Sequence, residues 1–194
     1  MTRAVPVSPF AILLRKASLL PAALAPVRFE TETDTALVKQ QAAYYFERFG
    51  NTLLRLAYSY LHNTEDSEDV LQETMMQYLR SAPRFENDKH AKGWLLRVAA
   101  NLSKNRIGSN KIRKTDELNE ELVAEEREDL SFVWQAVKEL PPKQREVIHL
   151  FYQEGCSTAE IAGILGRNES TVRSDLKRGR EALKKVLKEA YDFE

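Results

Sequence analysis

Six side chains between Ser170 and Arg178 carry the most distinctive chemistry of this chain: Ser170, Thr171, Arg173, Ser174, Lys177 and Arg178. On a helix they remain on or near the outer face, while Val172 and Leu176 turn inward. An Arg fork matches a guanine edge, Ser and Thr hydroxyls reach phosphates or bases, and Lys holds the sugar–phosphate backbone. The chemistry is recognition of DNA rather than bond-making. A solvated basic helix has a similar composition, so the elements around it must decide. Elsewhere the inventory for catalysis is thin. The chain has one cysteine, Cys156, and three histidines, His62, His90 and His149, none at ligand spacing from another. This excludes an internal disulfide framework and argues against an all-protein zinc site. No nucleophile–base pair, metal set or phosphate loop points to an enzyme, and no cofactor is expected.

The elements that must position the six residues are legible just upstream. Leu140-Pro141-Pro142 opens a helix at Lys143 that carries Val147, Leu150 and Phe151 and ends at Gly155. Ser157 then offers an N-cap for a short helix, Thr158 to Leu165, with Glu160 placed as in a capping box. Gly166 stops that helix, and Arg167-Asn168-Glu169 turns into a second helix from Ser170. Ile161, Ala162, Leu165, Val172 and Leu176 can pack the pair together. A helix, a short Gly-containing turn and a helix with polar outer residues form a helix-turn-helix.

The remainder of the chain is helical too. Of 194 residues only 7 are Gly and 7 Pro, too few for the turns of an all-β chain, and 43% are apolar, enough to bury a core. Phe46, Phe49, Leu53, Leu56 and Tyr60 step by three and four along one helix face. His62-Asn63-Thr64 ends that helix and caps the next, whose first turns hold Glu65, Asp66, Glu68 and Asp69 against the helix dipole. Ser81-Ala82-Pro83 breaks the second helix. A third, from about Lys89 to Ile107, carries Trp94, Val98 and Leu102 at spacings of four.

Charge is balanced overall, with 29 Lys and Arg against 29 Asp and Glu, but it is segregated. Residues 97–114 hold six basic residues and no acid, whereas 115–130 hold eight acids against Arg127. The acidic block has few large apolar residues and reads as a linker. The expected fold is therefore all-α, with two small helical domains, 35–110 and 131–190, joined by an acidic linker over 111–130. Residues 1–34, broken by Pro6, Pro9, Pro21 and Pro26, are expected to be a disordered leader, neither a signal peptide nor a membrane span.

The segment LPPKQREVIHLFYQEGCSTAEIAGILGRNESTVRSDLKRGREALKKVL, residues 140–187, resembles region 4 of sigma-70-type transcription initiation factors. DSEDVLQETMMQYLRS (66–81) resembles their region 2.2, and GWLLRVAANLSKN (93–105) their regions 2.3 to 2.4. With a linker in place of a folded region 3, the chain looks like the extracytoplasmic-function (ECF) class. The resemblance covers about residues 37–190 and implies a set of roles. Asp69, Gln72 and Glu73, with apolar Leu79 nearby, match the region 2.2 group that docks on core RNA polymerase, whose β′ and β subunits are the expected partners. Phe85, Arg97, Asn101, Lys104 and Asn105 match positions that capture the melted −10 strand of promoter DNA. Ser170, Thr171, Arg173, Ser174, Lys177 and Arg178 become the −35 contacts. An anti-sigma factor linked to the membrane is expected to hold a cytoplasmic protein inactive, and the acidic linker to thread a channel that nucleic acid later occupies.

The chain departs from the family pattern at three places. Asp175 sits in the recognition helix, where it would repel phosphate if it faced DNA. Asn168-Glu169 replaces a Pro-containing turn. Gly179 stands where Ala is usual and should loosen the helix by about 1 kcal/mol. Trp94 reads as core, Phe85 as either a base platform or a loop plug, and Cys156 as a small buried residue. Two other functional classes are left open: a stand-alone helix-turn-helix regulator of LuxR type, which should dimerise, and an adaptor that no longer reads DNA.

Overall fold

The computed structural model describes residues 32–108 and 131–191. The expected leader and acidic linker therefore lie almost wholly outside the described residues. Among the described residues the regular elements are all helical: α1 (Glu32–Leu61), α2 (Thr64–Ser81), α3 (Asp88–Gly108), α4 (Ser131–Lys138), α5 (Pro142–Ile148), α6 (Thr158–Leu165) and α7 (Glu169–Tyr191). A π-helical turn, His149–Gln153, extends α5.

Local chemistry sets the breaks. Asn63 caps α2 by accepting the Asp66 amide at 2.8 Å, after His62 has turned the chain through a positive φ of 51°. Ala82 ends α2 in the left-handed region, its N–H returning to the Tyr78 carbonyl at 2.8 Å just before Pro83. Asn87 accepts the His90 amide at the start of α3. Arg48 and the Tyr44 hydroxyl both meet Asp88 and tie that end of α3 to α1.

Helices α1, α2 and α3 pack on one another as a bundle. Leu53, Leu56, Met75, Leu95 and Leu96 are fully buried in it, each contributing about 1.5–3 kcal/mol by burial. The α3 core face is Ala91, Leu95, Leu96, Ala99 and Ser103. The ridge Trp94, Val98 and Leu102 read from the sequence is only half-buried, on the flank of a helix that touches α1, α2 and α6. Trp94 packs with Tyr45, Tyr78 and Phe85 in one aromatic cluster.

Helices α4 to α7 build the second module, with α5 and α6 both packed on α7. The helix expected to run to Gly155 changes character at His149: the widened turn closes with the Glu154 amide on the His149 carbonyl, and Gly155 follows at φ 67°. Such turns re-aim side chains that a regular helix would present elsewhere, and here His149 and Glu154 meet at 3.7 Å in the interior. Helix α4 had no counterpart in the sequence reading. The capping box at Ser157 and Glu160 and the stop at Gly166, φ 64°, are as read.

Gly179 is buried where α7 crosses α5. A Cβ there would lie 2.9 Å from Ile148 Cγ1 and 3.4 Å from Gln144 Cβ. Absence of a side chain thus sets the spacing of the two helices, and its cost in helix propensity is secondary. Gly179→Ala is expected to lower stability by about 1–2 kcal/mol, overpacking outweighing the propensity gain. Adding Ile148→Val should recover part of the loss in thermal melts; a stabilised Gly179→Ala would contradict this packing account.

Burial holds the His149 imidazole neutral, its pKa lowered to about 4, with Glu154 opposing that shift and Arg55 and Lys92 reinforcing it. Its ring also meets Trp134 edge-on. Because the unfolded ring protonates near 6.5, the native state binds fewer protons between those values, and stability falls as pH drops through them. The expected loss from pH 6.5 to 4 is about 3 kcal/mol. Melts of His149→Gln should show a flatter profile across that window, and an unchanged slope would refute the assignment.

Candidate nucleic-acid interface

Three polar surfaces emerge from this frame. The first is the outer flank of α2. Asp69, Gln72, Glu73 and Leu79 are all half-buried, within about three turns of one helix. Asp69 Oδ2 takes Arg106 at 3.1 Å, and Glu73 takes Arg80 at 3.3 Å. Arg106 also donates to the Asp66 carbonyl at 2.9 Å, so a cation from α3 orients the α2 carboxylate.

The second surface lies on α3. Asn101 and Asn105 are exposed one turn apart, an amide pair able to donate and accept at a base edge. Lys104 and Arg97, the cations beside them, are turned to the second module. Lys104 Nζ sits 3.1 Å from Glu146 Oε2, and Arg97 Nε donates to the Gly163 carbonyl of α6 at 3.1 Å. Phe85 is not an isolated platform: its ring stacks near Tyr78, centroids 6.2 Å apart, and packs on Trp94 at 5.9 Å. The structure thus brings Arg97, Asn101, Lys104 and Asn105 onto one stretch of α3 and anchors Phe85 in the adjoining aromatic cluster.

The third surface is the start of α7. Ser170, Thr171, Arg173, Ser174, Lys177 and Arg178 are all exposed, and Val172 and Leu176 are buried beneath them. Arg173 pairs with Glu169 at 2.7 Å, Lys177 with Glu181 at 3.9 Å and Arg178 with Asp175 at 3.8 Å. The exposed Arg173–Glu169 and Lys177–Glu181 pairs are worth at most about 1 kcal/mol each, so phosphate can displace those acids cheaply, whereas Arg178 reaches the largely buried Asp175. Asp175 does not face outward. Its side chain is 9% exposed and lies 3.5 Å from Arg167, so it braces the turn and leaves the DNA-facing side free of its charge. In place of a proline, the turn is held by the Arg167 amide on the Ala162 carbonyl and by the Thr158 hydroxyl on Glu169.

Sequence reasoning missed the charged residues between the modules. Glu146 in α5 and Glu154 beyond the π turn are each 2% exposed at the side chain. Their partners Tyr60, Arg55 and Lys92 belong to the first module. An acid in the apolar run from Val147 was the signal available, but only packing shows what neutralises it. Also missed was Arg180, which donates to the Tyr152 hydroxyl at 2.8 Å and lies over the Phe151 ring. Cys156 is half-buried, and burial pushes its thiol up to about 11, which suits a small packing residue better than a reactive one.

Comparison with known proteins gives consistent matches. Sigma-70 region 2 matches residues 45–112 and Sigma-70, region 4 matches residues 133–183. The ECF RNA polymerase sigma factor SigM of Mycobacterium tuberculosis is 32% identical over 146 residues, 73% of this chain and 74% of SigM. SigW of Bacillus subtilis, also an ECF RNA polymerase sigma factor, is 29% identical over 73% of this chain and 86% of its own length. Among solved structures, CnrH in complex with the cytosolic domain of CnrY superimposes with a TM-score of 0.58 at 25% identity, covering 80% of this chain and 97% of that one. The sigma factor RpoE in complex with the anti-sigma factor NepR, from Bartonella quintana, shares the fold, with a TM-score of 0.60 at 22% identity over 75% and 96% of the two chains. A region 2 match preceding region 4 is what a stand-alone LuxR-type regulator would lack. With both regions matched in order and a curated ECF relative above 30% identity, the chain belongs to the sigma-70 family of RNA polymerase sigma factors, in its ECF class.

Proposed function

We propose that residues 35–110 and 131–190 act as two promoter-reading modules on one core RNA polymerase. The α7 face reads the −35 duplex in the major groove, Arg173 and Arg178 offering forks to base edges or phosphates and Lys177 a point charge to the backbone. The α3 flank holds the melted −10 strand, with Asn101 and Asn105 at base edges and Arg97 and Lys104 on phosphates. Phe85, fixed in its aromatic cluster, offers a ring to an unstacked base; such stacking is worth about 1–3 kcal/mol. Asp69, Gln72, Glu73 and Leu79 dock on the polymerase, where carboxylates can exchange Arg106 and Arg80 for partner arginines. The observation that carries the reading is the presence, in one chain, of a solvent-facing recognition helix and a second polar flank of different chemistry suited to single strand.

The chain itself supplies positioning, and the polymerase supplies the chemistry. Regulation by an anti-sigma factor is part of the proposal, motivated by the complexes in which the structurally similar RpoE and CnrH were solved. No helix among the described residues is long and apolar enough to cross a membrane. Attachment to the membrane through the anti-sigma partner, with the chain itself in the cytoplasm, belongs to the same proposal.

Run-off transcription with bacterial core polymerase on a promoter pool tests the reading. Wild-type protein should give polymerase-dependent, sequence-selective transcripts, and Asn101→Ala should reduce open-complex yield about tenfold while leaving core binding intact. Arg173→Ala should weaken promoter binding by about 1–3 kcal/mol and, where it meets phosphate, reduce the salt slope by about one. Tight duplex binding by the protein alone, without any binding to core, would overturn the proposal.

A further inference from the structure

A cavity of about 610 Å³ lies between α3, α6 and the segment that follows the π turn. Its size is that of a small-molecule site, and of its lining residues only Arg97 has been given a role above. Two of its wall residues are glycines inside helices, Gly93 in α3 and Gly163 in α6. A glycine inside a helix weakens it relative to alanine, so something else must need the room. For Gly179 that is Ile148, but a Cβ at Gly93 or Gly163 would meet no protein atom within 4 Å. The room at these two positions belongs to the cavity.

Charge and shape give the class of ligand. Three cations, Lys89, Lys92 and Arg97, line the cavity against two acids, Glu154 and Glu160. Each acid already holds a lysine, Lys92 at 3.0 Å from Glu154 and Lys89 at 2.5 Å from Glu160. Arg97 has no carboxylate partner among the described residues; its Nε donates at 3.1 Å to the neutral Gly163 carbonyl, which also accepts from Nη2. A surplus of one positive charge suits a monoanion, whereas a phosphate dianion would reverse the balance. A carboxylate also offers the guanidinium fork two charged acceptors where the carbonyl offers one neutral one. Trp94 is half-buried in the same wall, its ring fixed by Tyr78 and Phe85, with the buried Leu96 and Ile164 nearby. A fixed ring receives a flat apolar body at little cost in freedom.

We propose that this cavity is a binding site for a small planar organic carboxylate. The acid group lies on Arg97, the ring against Trp94, and the body over the bare backbone at Gly93 and Gly163. Because α3 and α6 both supply contacts, the ligand stabilises the folded chain by mass action.

The probe is β-naphthoate, titrated calorimetrically into the full-length chain beside its neutral isostere β-naphthamide and the dianion β-naphthyl phosphate. β-Naphthoate is expected to fill one saturable site, and the other two to bind about tenfold more weakly. In heteronuclear NMR spectra the indole N–H of Trp94 should shift during the titration while that of Trp134 does not. Gly93→Leu should melt no lower than wild type, because leucine favours the helix and enters open space, yet lose about tenfold in affinity. Arg97→Gln should lose a similar factor. Absence of saturable β-naphthoate binding at about millimolar concentration overturns the site. Equal binding of the amide or the phosphate overturns the carboxylate class. Affinity indifferent to both substitutions, or a shift at Trp134 alone, puts the probe elsewhere and overturns the assignment. Should Gly93→Leu lose its helical signal, Gly93→Ala, which adds only the Cβ that meets nothing, decides by the same titration.

Discussion

A carboxylate with almost no exposed surface constrains everything packed around it, and Glu146 is such a group. Its charge requires cations within reach, and those cations come from both modules: Arg167 from the turn of the helix-turn-helix and Lys104 from α3. Glu154 adds a second such demand one π turn further on. The widened turn is the device that lets one short helix present both His149 and Glu154 inward, where a regular helix of the same sequence would direct them differently. One apolar core cluster runs through both modules, and the buried acids with their cations add the specific polar contacts where the modules meet.

The two proposed DNA-reading surfaces are held in opposite states. On α7 the cations lie in solvent, paired with acids of the same helix through weak, screened interactions that a polyanion displaces. On α3 the cations are tied to another module, Lys104 by the buried Glu146 carboxylate and Arg97 by the exposed Gly163 carbonyl. Asp175 shows how the same logic protects the open surface. Turned inward to Arg167, it strengthens the helix-turn-helix corner and removes its repulsion from the groove-facing side. Gly179 plays the matching steric part, allowing α7 to cross α5 close enough for Ile148 to fill the space a methyl group would need.

Phe85 illustrates why an assignment from residue type is incomplete. As a lone aromatic in a loop it reads equally as platform or plug. In the fold it belongs to a four-ring cluster with Tyr45, Tyr78 and Trp94, which locks its ring in place. A locked ring loses little freedom when a base stacks on it, so a packing role and a binding role are compatible here.

Much of this molecule was determined by sequence alone, because its signals are local. Period-3.6 patterning placed α1, α2, α3, α6 and α7; Asn63, Ser157 and Glu160 marked helix starts; Ala82-Pro83, Gly155 and Gly166 marked ends. The outward face of α7 followed from the same periodicity, since one buried stripe suffices to orient a helix. Tertiary structure alone decided the rest. Helix α4 was too short for its pattern to stand out, and the shift from α to π at His149, where the turn packs on α1 and α6, had no signal in the helical periodicity. The inward turn of Asp175 depends on Arg167 across the helix-turn-helix corner, while the steric need for Gly179 and the pairing of Glu146 with Lys104 join residues far apart in the chain. Helical periodicity says which side of a helix a residue occupies, but only the packed fold says what lies across from it.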